Sequence, residues 1–230
     1  MSILRPARHS EVVAVGRVAA VLALVALLVG GSLMATTGPL LARAGDDAWR
    51  PVRENPGLFW SAAVALALIS LFDLFTIPAL HLRLHAGHPA LILLATGTAA
   101  VGDLLGMLGR LVQGAEVPAA LASSSDADLL AIVEQTLNTA GFVLVSVSFA
   151  CFGVAMVRGF SRWLGWVGLA AGVCTAVGQL PGLDAVFLLA NLTFVAWYVG
   201  LAITLQRSGP GGPGVTGAAA SRAAGQGSLR

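Results

Sequence analysis

The chain has 230 residues, of which 57% are hydrophobic and 10% charged, with a formal net charge of +2. A water-soluble domain carries about 25% charged residues, because its surface must face water, so this composition excludes a soluble globular protein. The small net charge, from 13 Arg and no Lys against 11 acidic residues, also excludes a nucleic-acid-binding surface; membrane lipids are the partners it fits.

A helix needs roughly 20 apolar residues to cross about 30 Å of hydrocarbon. Six runs meet that need: residues 18–37, 58–80, 89–111, 128–157, 163–180 and 184–205. The sequence therefore predicts an all-α, polytopic membrane bundle over 18–207, with a short cytoplasmic segment, 1–17, before it. Ala42-Arg43-Ala44 has the small-x-small form of a leader cleavage site. The first apolar run is too long for a leader, and that site lies far beyond its end, so the first helix is read as retained.

Punctuation sets the other limits. Pro51, Asn55, Pro56 and Gly57 precede the second helix, and Gly87-His88-Pro89 separates it from the third. Pro118 and Ser123-Ser124-Ser125-Asp126 precede the fourth, with Ser125, Asp126 and Asp128 as candidate N-caps. Pro181-Gly182 turns the fifth into the sixth. The tail from 208 to 230, rich in Gly, Ala, Ser and Pro, reads as disordered.

Arginine sets orientation, since cytoplasmic loops hold the excess. With the N-terminus inside, Arg5, Arg8, Arg17, Arg83, Arg158, Arg162, Arg207, Arg222 and Arg230 lie inside; Arg43, Arg50, Arg53 and Arg110 lie outside. The bias favours N-in, C-in, as for a multi-pass protein of the cell (inner) membrane. Trp60, Trp163, Trp166, Trp197 and Tyr198 fall near helix ends, where amphipathic rings prefer the interface.

A charged side chain near the bilayer centre costs about 2.5–3.5 kcal/mol on insertion scales, so each such residue requires an explanation. Asp73 lies just past the middle of the second helix, with Thr76 and Pro78 nearby. Asp103 and Arg110 share a face of the third helix, and Glu134 and Asn138 share a face of the fourth. Together with Gln135, Gln179 and Asn191 they predict one polar layer in the outer half of the bundle. Two readings stay open for it. It is a ligand-binding site formed by Asp103, Arg110, Glu134, Gln135, Asn138 and Asn191, or it is glue between helices through an Arg110–Glu134 or Arg110–Asp103 ion pair. Gly102-x3-Gly106 and Gly168-x3-Gly172 fit close helix packing.

Other chemistry finds little footing. His81 and His85 are four apart, but no Glu follows His81 as a metalloprotease helix would require. Cys151 and Cys174 lack ligand spacing. No metal and no cofactor is expected. An acid-initiated enzyme acting on a lipid or isoprenoid would need a carboxyl group able to donate a proton, for which Asp73 and Glu134 are the candidates. Three functional classes therefore remain: binding or transport of a small apolar or amphipathic ligand, such an enzyme, and a structural or regulatory membrane partner.

The stretch Leu137-Asn138-Thr139-Ala140-Gly141-Phe142, followed by the turn Phe160-Ser161-Arg162-Trp163-Leu164-Gly165, resembles a family of uncharacterised bacterial membrane proteins named only as a domain of unknown function. Asp73 is similar to an acid placed in that family's second span. The resemblance is best over residues 137–175 and implies a six-helix membrane architecture with no established reaction.

Overall fold

A computed structural model describes residues 5–37, 46–180 and 183–207. These form seven helices and no strand: α1 (Arg5–Thr37), α2 (Asp46–Glu54), α3 (Pro56–Leu84), α4 (Pro89–Ala122), α5 (Ser124–Gly159), α6 (Arg162–Gly178) and α7 (Asp184–Arg207). Ala42-Arg43-Ala44, Pro181-Gly182 and the 208–230 tail lie outside the described residues.

Five helices are long and apolar enough to cross a membrane: α1, α3, α4, α5 and α7. Their outward faces settle the solvent. Val15, Val18, Leu22, Val25 and Val29 form an exposed apolar face on α1, and Leu93, Leu104, Leu108 and Leu111 another on α4. Contiguous apolar surface on this scale is not tolerated in water. The chain is an all-helical, multi-pass membrane protein.

The long helices and α6 close a ring. α1 packs on α3, α3 on α4, α4 on α5, α5 on α6, α6 on α7, and α7 back on α1. From α3 onward, consecutive members lie side by side because their connections are short. The centre is filled by Ile77, Leu80, Ile92, Phe149, Met156 and Leu201, with Phe149 edge-on to both Phe194 and Trp197.

Small residues bring the backbones together. A Cβ on Gly102 would stand 2.9 Å from the Gly141 carbonyl oxygen, and one on Gly141 would stand 2.9 Å from that of Gly102. On the other side of α5, a Cβ on Gly165 would meet the Gly153 carbonyl oxygen at 2.7 Å. Where lipid competes on equal terms for apolar surface, such close approach is what dispersion attraction requires. Gly168 and Gly172 also face neighbours, Trp197 and the Ser146 carbonyl.

The structure corrects three local expectations. Pro118 lies within α4, which runs on to Ala122 past the expected limit at Leu111. Proline removes one backbone hydrogen bond and the helix absorbs that loss near its end. Pro51 likewise lies within a helix, α2, where a loop was expected. The N-cap of α5 is Ser123 with no side-chain cap bond, and Asp128 instead accepts from Trp49 Nε1 at 2.7 Å.

That last bond explains α2. It lies across one end of the ring against α3, α4 and α5. Trp49 and Val52 bury with Phe59, Val117, Ala120 and Ala127, and Arg53 Nε donates to the Ala120 carbonyl at 2.8 Å. Arg50 and Glu54 pair on its exposed side. Its amphipathic pattern is that of a helix seated at a membrane surface.

The glycine contacts make a direct prediction. Gly165→Leu should separate α5 from α6 and destabilise the protein by about 3 kcal/mol or more, since overpacking against backbone cannot relax through a rotamer. Gly97→Ala, which meets nothing within 4 Å, should change stability by less than about 0.5 kcal/mol. Thermal unfolding in detergent checks both.

Candidate functional site

Two polar clusters occupy the bundle at different depths. The first lies towards the α2 end. Arg110 Nη1 donates to Glu134 Oε1 at 3.3 Å and to Gln113 Oε1 at 3.0 Å. Asn138 Nδ2 donates to the same Glu134 oxygen. Asn138 fits there because Gly109 opposite has no side chain: a Cβ would sit 2.5 Å from its Oδ1. The Arg110 and Glu134 side chains are 17% and 14% exposed, so the pair is largely removed from solvent. Of the two expected ion pairs, Arg110–Glu134 forms. Arg110–Asp103 does not, because seven helical residues separate them by about 10 Å.

The second cluster lies deeper. The Tyr198 hydroxyl of α7 donates to Asp73 Oδ2 of α3 at 2.5 Å. Asp103, 7% exposed, faces the same cavity as Asp73, together with Thr76, Ser148 and Trp197. The expected single polar layer is therefore divided. Asp103 joins Asp73, while Arg110, Glu134 and Asn138 stand together nearer the α2 end. Gln135 is exposed on the outer face of α5 and joins neither. Asn191 is half-buried on α7, which packs on α6 and α1.

Several participants escape a reading of the sequence alone. Gln113 and Glu116 look like loop residues if α4 ends at Leu111, yet both are buried in it. Glu116 Oε1 has no hydrogen-bond partner. The available signal was the i, i+3 spacing of Arg110, Gln113 and Glu116, which share one helix face. Tyr198 reads as an interfacial anchor beside Trp197, but both rings are buried in the core. His81 and His85 stack with centroids 4.7 Å apart, and His81 Nδ1 lies 2.9 Å from Thr96 Oγ1. Among the described residues no group of three or more His, Cys, Asp or Glu surrounds them.

A groove of about 250 Å3 opens beside the first cluster, between α3 and α4. Trp60, Ala63 and Val64 form one wall, and Leu111, Gly114, Ala115 and Pro118 the other. Arg110 is its one charged lining residue. Trp60, Leu111, Ala115 and Pro118 are exposed, so the groove faces lipid.

A family model described as Domain of unknown function (DUF4386) matches residues 18–206. The chain belongs to that family. The match begins within α1, ends within α7 and takes in both clusters. No curated protein and no solved structure matches the chain.

The Arg110 cluster can be tested as glue. Glu134→Ala takes the acceptor from Asn138 and the ion-pair partner from Arg110, which keeps only its bond to Gln113, and should destabilise the fold by about 3 kcal/mol, the low end for a broken buried pair. The double variant Arg110→Met/Glu134→Leu removes both charges and should recover most of that loss. Unfolding of the two variants in detergent measures the difference.

Proposed function

We propose that this DUF4386 member binds a small amphipathic ligand in the groove between α3 and α4, with its acceptor or anionic end on Arg110 and its apolar body along Trp60. The observation that carries this reading is the state of Arg110. Both of its hydrogen bonds leave from Nη1. Among the described residues nothing accepts from its Nε or Nη2, and neither atom is enclosed without a partner. A guanidinium with donors to spare, at the edge of an apolar groove, matches a carboxylate or phosphate oxygen on a chain-like molecule. A volume of about 250 Å3 lies just below the usual range for drug-sized ligands, so it suits one short chain.

The reading carries an orientation. α6 has 17 residues, about 25 Å of helix, and sits in the ring between α5 and α7 like the longer members. At the short end of spanning lengths, α6 supports a reading of six crossings, with the start of α1 and the end of α7 on one side. The arginine count puts that side in the cytoplasm, so α2 and the groove face outward and the ligand enters from the outer leaflet. A location in the cell membrane fits this arrangement. The enzyme reading has less support. The cavity beside Asp73 is about 30 Å3, which has no room for a lipid or isoprenoid.

Brominated single-chain carboxylates added to the purified protein test the groove through tryptophan quenching. Saturable quenching should disappear in Trp60→Phe and in Gly114→Leu, whose side chain would fill the space now 3.7 Å from the Trp60 ring. It should weaken about tenfold or more in Arg110→Met/Glu134→Leu, which loses a charge-assisted contact. Unchanged affinity in Gly114→Leu overturns the proposal.

A further inference from the structure

The deeper cavity is lined by α3, α4, α5 and α7, and four oxygen-bearing side chains face it: Asp73, Asp103, Thr76 and Ser148. Their hydrogen bonds decide what it accepts. Ser148 Oγ donates to the Val145 carbonyl at 2.8 Å, and Thr76 Oγ1 to that of Phe72 at 3.2 Å. Both hydroxyls therefore turn lone pairs, not protons, towards the space. Tyr198 takes one Asp73 oxygen and holds that carboxyl in place. Asp103 is over nine-tenths buried. Among the described residues no side chain or backbone group donates to it.

Apart from the Trp197 indole, the polar groups of the lining offer acceptors, and they include two carboxyl groups. Among the described residues no basic side chain lines it. Arg110 is two turns away on α4 and is engaged with Glu134. Arg17, beside the Gly16 carbonyl that faces Thr76, is exposed. The cavity, about 30 Å3, has room for one or two water-sized bodies. Water would satisfy lone pairs but leave the charge unbalanced in a low-dielectric interior. Oxygen ligands around a small space are the chemistry that hard cations select.

We infer that this cavity is a binding site for one small monovalent cation, held by the oxygens of Asp73, Asp103, Thr76 and Ser148, with one of the two carboxyl groups ionised, the other protonated, and Tyr198 positioning Asp73. A sodium ion and a proton share that chemistry, and the experiment separates them. The ionisable groups facing the pair are the two acids themselves and Tyr198. α5 contributes Ser148 but nothing ionisable, and α1 contributes the Gly16 carbonyl.

The full-length protein in nanodiscs is unfolded thermally in choline chloride with rising NaCl at constant total salt. It is also unfolded in choline chloride alone, from mildly acidic to mildly alkaline buffer. If sodium is the cation, wild type gains several degrees saturably with NaCl, and Asp103→Asn shows no gain. If a proton is the cation, sodium has no effect. Wild type is then stabilised towards acid by more than Asp103→Asn is. Ser148→Ala leaves both acids in place and serves if Asp103→Asn does not fold. It should raise the half-saturating sodium concentration about tenfold, or, for a proton, shift the pH midpoint. The inference is overturned if neither sodium nor pH acts differently on wild type and the folded variants.

Discussion

Hydrocarbon offers no hydrogen bonds, and that one constraint organises this molecule. Backbone groups must be satisfied within helices, which is why all the described residues fold into helices joined by brief links. Apolar side chains gain nothing by leaving lipid, so the helices are held by close approach at glycines and by polar contacts. Gly102 against Gly141 and Gly153 against Gly165 supply the first. Arg110–Glu134 and Tyr198–Asp73 supply the second.

The same constraint gives meaning to polar atoms that lack partners. In water an unused donor on Arg110 would simply be hydrated. Beside a lipid-facing groove it is a cost that a ligand can remove. Asp103 presents the complementary case, an acceptor without a donor in a cavity too small for anything but an ion or water. One recess is roomy and edged by a guanidinium, the other tight and lined by carboxyl groups, and the two proposals differ accordingly.

The multi-pass membrane fold was legible from composition and from the length of the apolar runs, because hydropathy is a property of whole segments. Local endings were not. Pro118 and Pro51 read as breakers, yet tertiary burial of Val117 and Val52 outweighs the lost backbone bond. The polar residues themselves stood out, since every ion in a span carries a cost. Their grouping did not, because depth along a helix does not specify which neighbour it faces. Asp103 was placed with Glu134 by depth, but α4 turns it towards α3 and α7. Tyr198 could not be assigned to Asp73 from a separation of 125 positions. Gln135, adjacent to Glu134, points the other way through helical periodicity alone.

The seams around α4 differ in a way that bears on both recesses. Its contact with α5 is tight, with Gly102 on Gly141 and Gly109 under Asn138. α4 and α5 therefore meet at backbone contact along this seam. Its contact with α3 is looser: Gly106 meets only Ser70 Oγ, at 3.3 Å, and Gly114 stands 3.7 Å from Trp60. The groove opens in this seam, and the acid-lined cavity has walls from the same two helices. Both voids thus depend on the spacing of α3 from the α4–α5 unit. Interiors of folded proteins tolerate few voids, because their lining atoms lose dispersion contacts. The groove faces lipid, which can fill it, whereas the acid-lined cavity holds about 30 Å3 among α3, α4, α5 and α7, and it is there that packing alone leaves lining atoms without contacts.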